Sequence, residues 1–348
     1  MPVDRNWMIG SVQRCFLIVM VSMGLAALST VAPAAPAKSG HDASFCVLSV
    51  EEDGGRLTVL DPGGTARARI ALGLRPHEVA VSPDRRTAYV TMFGIADYDD
   101  RIGTPGSTIA KIDLTAGRRV AEYQVPADIR GPHGVKLRPP AFAELFVNTE
   151  VGGDAMLVLD AASGKLLRRF PLPAGTHNFV FARNGAALFS FAGASGVSKL
   201  DPSSGKVLAH ADLGSPVRGT FVAKDGNVLA SAKGEVVVLA AKDLAVIRRL
   251  KSPRVGQFGY LDEWPDGTIV APSFSDGGVV VFRNGRVPGT FVETGKVPIQ
   301  VQRGPDNRIY VSNVEDHHLS VIDPNTLSVG MMSDLHGPNG IGFGACPG

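Results

Sequence analysis

The sequence predicts an all-β chain folded as a seven-bladed β-propeller, with four antiparallel strands per blade. Three observations lead there. First, a turn opening into a strand recurs seven times, with His77, His133, His177, Arg218, Gly259, Ile299 and Asn339 in one equivalent slot. After a longer first step the recurrence settles near forty residues, the signature of a radial or solenoid array. Second, each period holds four short, β-branched, turn-bounded segments, and beyond the N-terminal region no window sustains a helical apolar period. Third, a single strand follows the last slot and three precede the first. The two chain regions can therefore complete one blade and close the ring, which leaves no open sheet edge.

The first repeat is the clearest. Strand a is expected over Glu78–Ser82, a turn at Pro83-Asp84, and strand b over Thr87–Met92. Strand c follows over Thr108–Asp113, a turn over Leu114–Gly117, and strand d over Arg118–Val125. Strand b recurs as Leu145–Asn148, Leu188–Phe191, Val228–Ser231, Thr268–Ala271 and Ile309–Asn313. Strand c ends on aspartate at Asp160, Asp201 and Asp323, each followed by a small polar turn that the carboxylate would cap. The seventh blade takes strand a from Gly340–Gly344 and strands b, c and d from Phe45–Val50, Arg56–Asp61 and Ala66–Leu72. The 41 glycines and 24 prolines in 348 residues supply the turns that such a fold needs.

Residues 1–37 read as a cleaved secretory signal. Arg5 and Arg14 give a positive start, Cys15–Leu28 an apolar core, and Ala32-Pro33-Ala34 and Ala35-Pro36-Ala37 small-residue cleavage sites. Residues 38–44 would be a short linker and 45–346 one propeller domain. The mature protein is then periplasmic or secreted, with no stable membrane span once the signal is gone. Cys15 leaves with the signal, and Cys46 and Cys346 remain. In the repeat register Cys346 falls just past strand a of blade seven and Cys46 early in strand b. These positions flank a hairpin turn in every other blade, and a disulfide is expected to replace that turn here. The net charge of +2 is scattered, which excludes a basic nucleic-acid stripe and a polybasic membrane patch. A monomer is expected.

Tyr89-Val90-Thr91-Met92, Tyr310-Val311-Ser312-Asn313 and the strand-a ending Val81-Ser82-Pro83-Asp84 resemble the YVTN-type β-propeller repeat family, with Phe146-Val147-Asn148-Thr149 a looser copy. The resemblance spans residues 45–346. It implies the propeller fold, shared by lactonases, lyases, dehydrogenase subunits and surface-layer proteins. WD repeats are disfavoured, because Trp264 stands alone in the mature chain without a Trp-Asp pair.

Propeller geometry puts the d-to-a connections and the b-to-c loops on one face. His77, His133, His177, Arg218 and Asn339 should therefore ring one channel mouth as binding residues. Glu150, an acidic insertion over 94–107 with Asp97, Tyr98, Asp99 and Asp100, and the run Glu315-Asp316-His317-His318 should lie in loops of that face. His77, His133 and His177 are candidate ligands for a divalent transition metal, which neutral imidazoles suit. His133 and His177, with Glu150 as carboxylate and Arg218 as anion holder, are the candidate catalytic set. The competing structural reading has the slot residues capping inner strands and bonding neighbouring blades. His317-His318 reads as a solvated loop pair, and the acidic insertion as a solvated lid. Signatures for haem attachment, a nucleophile elbow, a zincin helix and a phosphate loop are absent. The run Gly340-Ile341-Gly342-Phe343-Gly344 is assigned to crowding at the axis.

Two functions follow as expectations. One is a binding module presenting its loop face to a small molecule, peptide or exported protein. The other is a propeller enzyme, a metal-assisted lactonase or hydrolase, a lyase or an oxidoreductase, working at the histidine-lined mouth.

Overall fold

In the computed structural model, residues 45–73, 75–96, 99–192 and 196–348 are described, apart from the side chains of 99, 100 and 192. The expected signal and linker, 1–44, fall outside them. Seven four-stranded antiparallel sheets form the ring. Blade one consists of Pro76–Val81, Thr87–Met92, Thr108–Asp113 and Arg118–Gln124, and blade two of Arg130–Leu137, Glu144–Val151, Ala155–Asp160 and Leu166–Pro171. Blade three consists of Thr176–Phe181, Leu188–Ala192, Gly196–Leu200 and Val207–Asp212, and blade four of Gly219–Val222, Val228–Ala232, Glu235–Leu239 and Val246–Lys251. Asp262–Glu263, Ile269–Ser273, Gly278–Phe282 and Thr290–Glu293 make blade five, and Pro298–Arg303, Ile309–Asn313, His318–Ile322 and Val329–Met332 blade six. Blade seven joins Pro338–Gly344 to Cys46–Glu51, Arg56–Leu60 and Ala66–Ala71, as the split blade requires. Among the described residues no helix is long and apolar enough to cross a membrane.

The core is not one mass but a set of slabs, one between each pair of neighbouring blades. Strand b shows why, because its side chains alternate between the two faces of the sheet. In blade one, Ala88, Val90 and Met92 pack against Leu48, Val50 and Leu57 of blade seven. Tyr89, between them in sequence, packs with Val135 and Leu145 of blade two. Corresponding slabs join blades two and three around Phe146 and Phe179, and blades six and seven around Tyr310 and Ile341. Every blade is thus packed on both faces, and its outer strand d is the most exposed to solvent.

Turns behave as their residues dictate. Asp113, Asp160, Asp201 and Asp323 each accept backbone N–H groups two or three residues on. Their carboxyls are held below the usual range, by the hydroxyls of Thr115 and Ser163 for the first two and by the N–H groups of Ser203 and Thr326 for the others. Asp262 is the opposite case. It is buried in the short inner strand of blade five and accepts the N–H of Glu263 at 2.6 Å and of Arg303, in blade six, at 2.7 Å. Burial outweighs those bonds and pushes its carboxyl up to about 6.

Cys46 and Cys346 are disulfide-bonded, with Cα atoms 5.0 Å apart and 300 residues between them. The bond sits where other blades have their a-to-b turn. Beside it, the Ala345 N–H donates to the Arg85 carbonyl of blade one at 2.7 Å. The glycines of the closing strand are set by crowding. A Cβ on Gly340 would stand 2.5 Å from the His77 carbonyl oxygen, and one on Gly344 2.3 Å from Leu114.

Chain-entropy arithmetic for so long a loop gives the disulfide about 5 kcal/mol. A reductant should therefore lower the melting temperature of the wild type steeply and leave a Cys46→Ser/Cys346→Ser protein unmoved. Equal melting of the two under non-reducing conditions would remove the stabilising role. For Asp262, a folded value above the unfolded one means that the native state binds the proton more tightly. Its contribution to stability is greatest below about pH 4 and is lost as pH rises through about 6. Melting of the wild type compared with Asp262→Asn should shift in favour of the wild type on going from pH 7 to pH 4, by roughly 3 kcal/mol in all.

Candidate binding pocket at the channel mouth

The slot is a place where the inner strand is irregular. The pairing of strands a and b slips within Pro76–Val79, Pro132–Val135, Thr176–Asn178 and Pro298–Val301. Such bulges re-aim side chains. With the equivalent slip over Pro338–Ile341 of blade seven, they lie at the slot in five blades, including all three that carry histidine. The slot is therefore inside strand a in these blades, earlier than the Glu78 start expected for blade one, whereas Arg218 and Gly259 stand just before theirs.

In blades one, two and six a polar residue of strand b holds the irregularity in place. Thr91 accepts the Glu78 N–H at 3.1 Å and donates to the His133 carbonyl of the next blade at 2.6 Å. Asn148 accepts the Gly134 N–H at 2.9 Å and donates to the His177 carbonyl at 3.1 Å. Ser312 accepts the Gln300 N–H at 3.1 Å. These are the third residues of the Tyr-Val-Thr-Met, Phe-Val-Asn-Thr and Tyr-Val-Ser-Asn runs. Bonding between blades at the slot thus uses the histidines' backbone carbonyls, and their rings are placed by other contacts.

Those rings converge. His77 and His133 are fully buried and His177 is 7 % exposed. Ring centres of His77 and His133 lie 4.1 Å apart, and those of His133 and His177 4.3 Å. Phe93, just past strand b of blade one, presents its ring to both His77 and His133, at 5.4 and 4.8 Å. Phe191 and Tyr260 flank His177 at 6.1 and 6.4 Å. Glu150 closes the group. It belongs to strand b of blade two rather than to the loop beyond it, and its Oε1 lies 3.0 Å from His177 Nδ1 and 3.6 Å from His133 Nδ1. Arg218, 3 % exposed, donates from Nη1 toward His177 Nε2 at 3.0 Å. An arginine can only donate, so Nε2 accepts, and the proton of the neutral ring is on Nδ1, facing Glu150.

The pocket has a floor. One residue past the slot come Glu78, Gly134, Asn178, Gly219, Tyr260, Gln300 and Gly340. Asn178 Nδ2 donates to Glu78 Oε1 and, at 3.2 Å, to the Tyr260 hydroxyl. These residues come from blades one, three and five, which can touch only across the axis. Lys136 pairs with the other Glu78 oxygen at 2.8 Å. The intervening blade two must be small there, since a Cβ on Gly134 would lie 2.2 Å from Asn178 Oδ1. The array lies against a floor of hydrogen-bonded side chains.

The other expected residues sit elsewhere. The Asn339 amide donates to Glu52 at 3.1 Å and is not bonded to the histidine group. His318 is buried in strand c of blade six rather than solvated. Its Nε2 faces the Thr294 carbonyl at 3.0 Å and Ser320 at 3.1 Å. His317 Nδ1 accepts the Gly337 N–H at 3.0 Å. Of the acidic insertion, Ile95 and Ala96 are buried, and Ile95–Ala96 pairs with Asp99–Gly103 as a small hairpin. Asp97 and Tyr98, with the side chains of Asp99 and Asp100, lie outside the described residues. Sequence reasoning missed Phe93, Phe191 and the Glu78–Asn178–Tyr260 floor. The available signal was that a bulge at the slot turns two consecutive residues inward, not one.

No protein-family model and no curated protein matches the chain. Solved structures match its fold. A functionally unknown protein from Desulfotomaculum acetoxidans is 15 % identical, with a TM-score of 0.68 over 88 % of this chain and 100 % of that one. The provisionally named 6-phosphogluconolactonase of Bacteroides fragilis is 15 % identical, at 0.69 over 88 % and 99 %. Hydrazine synthase from Kuenenia stuttgartiensis is 16 % identical, at 0.65 over 84 % and 99 %. At these identities the likeness is one of fold.

Asn148→Ala would remove the acceptor of the buried Gly134 N–H and the donor to the His177 carbonyl. It should cost about 2–4 kcal/mol of stability, measured by denaturant unfolding. Asn148→Asp, which keeps the acceptor for Gly134 and loses the donor to His177, should fall between. An unchanged midpoint for Asn148→Ala would show that the inter-blade bond contributes nothing.

Proposed function

We propose that this protein is an exported binding module that holds a small molecule bearing an anionic group in the recess at its histidine-bearing mouth. One observation supports this above the others. Arg218, His177, Glu150, His133 and His77 form a continuous buried array contributed by blades one to four, in a scaffold with little freedom to move. A buried guanidinium is suited to grip a carboxylate or phosphate through paired N–H donors. The imidazoles add hydrogen-bonding groups that can donate or accept. The aromatic walls and the closed floor limit the ligand to small size. Export is in keeping with the disulfide, a bond that oxidising compartments sustain.

One feature favours a second, catalytic reading. Glu150 orients the His177 ring from one side and leaves the opposite nitrogen as an acceptor, the arrangement a general base needs. In that reading a bound anion draws Arg218 away and the freed Nε2 takes a proton.

Calorimetric titration with succinate, sulfate and phosphate tests the binding reading. At least one should bind, and Arg218→Ala and His133→Ala should each weaken it by tenfold or more. A wild type silent to all three, or an Arg218→Ala protein that binds as well, would overturn it. Hydrolysis of a sugar lactone above the buffer rate, lost in His177→Ala, would move the assignment to the catalytic reading.

A further inference from the structure

We infer that His133, Glu150 and His177 form a site for one divalent transition metal ion, and that Arg218 moves from His177 to an anionic ligand when the ion is bound. This deepens the pocket reading above and rests on it. Among the described residues, one possible donor atom from each of these three residues lies within 4.8 Å of the others. Their spacing is compatible with a shared ion. Two donors each about 2.1 Å from a common ion stand about 3.0 Å apart at a right angle and about 3.4 Å apart at a tetrahedral angle. The observed separations from Glu150 Oε1 are 3.0 Å to His177 and 3.6 Å to His133. Two imidazoles and one carboxylate make a donor set suited to zinc, iron, cobalt or copper, and a three-residue set leaves coordination positions open. His77 is not in this group. Its ring packs edge-on against His133 and helps fix the orientation of that ring.

Arg218 follows from the same geometry. In the metal-bound state His177 coordinates through Nδ1, so its remaining ring proton must sit on Nε2. That N–H would confront the Arg218 donor now 3.0 Å away. Two donors cannot share one bond, so the guanidinium leaves His177 and is available for an anion at an open metal position. Metal and anion binding should therefore reinforce each other, and the coupling must be reciprocal.

The test is a cobalt(II) titration of full-length, chelator-treated protein, followed by visible absorption, with and without succinate. The expected result is one cobalt per chain with ligand-field bands, tightened severalfold by succinate. His133→Ala and the near-isosteric Glu150→Gln should each weaken it about a hundredfold or more. Arg218→Gln should bind cobalt at least as tightly as the wild type and lose the succinate effect. Each variant is compared only if it melts as a cooperative unit with its disulfide intact, and Glu150→Gln serves if His133→Ala does not fold. A wild type that takes up neither cobalt nor zinc, or a Glu150→Gln protein that retains cobalt, overturns the metal site. An Arg218→Gln protein with the succinate effect intact overturns the coupling. If cobalt fails while succinate still binds through Arg218, this inference falls and the pocket reading stands; if both fail, both fall.

Discussion

Seven inner strands must converge on one axis without burying an unpaired backbone group, and the rest of the structure answers to that constraint. The strand-a irregularity at the slot breaks a regular ladder at the most crowded place in the molecule. Thr91 and Asn148 repair it by bonding their own strand a and the slot carbonyl of the next blade together. Buried groups left unmatched would each cost on the order of 1–3 kcal/mol, so the repair is a condition of the fold. It also has a consequence for chemistry. Because hydroxyl and amide side chains take over the joining of blades, the slot side chains are released from that task, and imidazoles can gather where structure would otherwise need small residues.

Blade count, strand limits and ring closure were legible because they depend on period, alternation and turn chemistry, which are local properties of sequence. Strands b and c of blade one were read to the residue, and the Cys46–Cys346 pairing followed from register alone. The mouth was legible in outline for the same reason: His77, His133, His177 and Arg218 share a slot. Its depth was not. Glu78, Asn178 and Tyr260 meet across the axis, and no local pattern shows which of seven equivalent side chains are long enough to touch. Phe93 was hidden because it follows a strand and contacts the histidines only after the insertion turns. His318 was misjudged because the turn ends at His317, whose φ is 57°, and His318 opens the buried strand c of blade six.

The alternation of large and small residues in the floor ring is a packing solution in its own right. Glycines at positions 134, 219 and 340 separate the longer side chains of the other blades, so Glu78, Asn178 and Tyr260 can cross the axis without collision. A propeller's centre is often thought of as a hole. Here a polar plug of Glu78, Asn178 and Tyr260 crosses it beside the histidines.

The disulfide gives the chain a different topology from its linear sequence. With residues 46 and 346 joined, the propeller between them is covalently a circle. A single cut in any exposed turn of a circle opens it without dividing it. A protease that nicks one loop of one blade therefore produces no separate fragment, and the two new ends remain held in neighbouring strands. Loss of the molecule requires a second cut or the breaking of the sulfur bond. Damage to the ring thereby becomes a two-event process, and its lifetime depends on the rarer of the two.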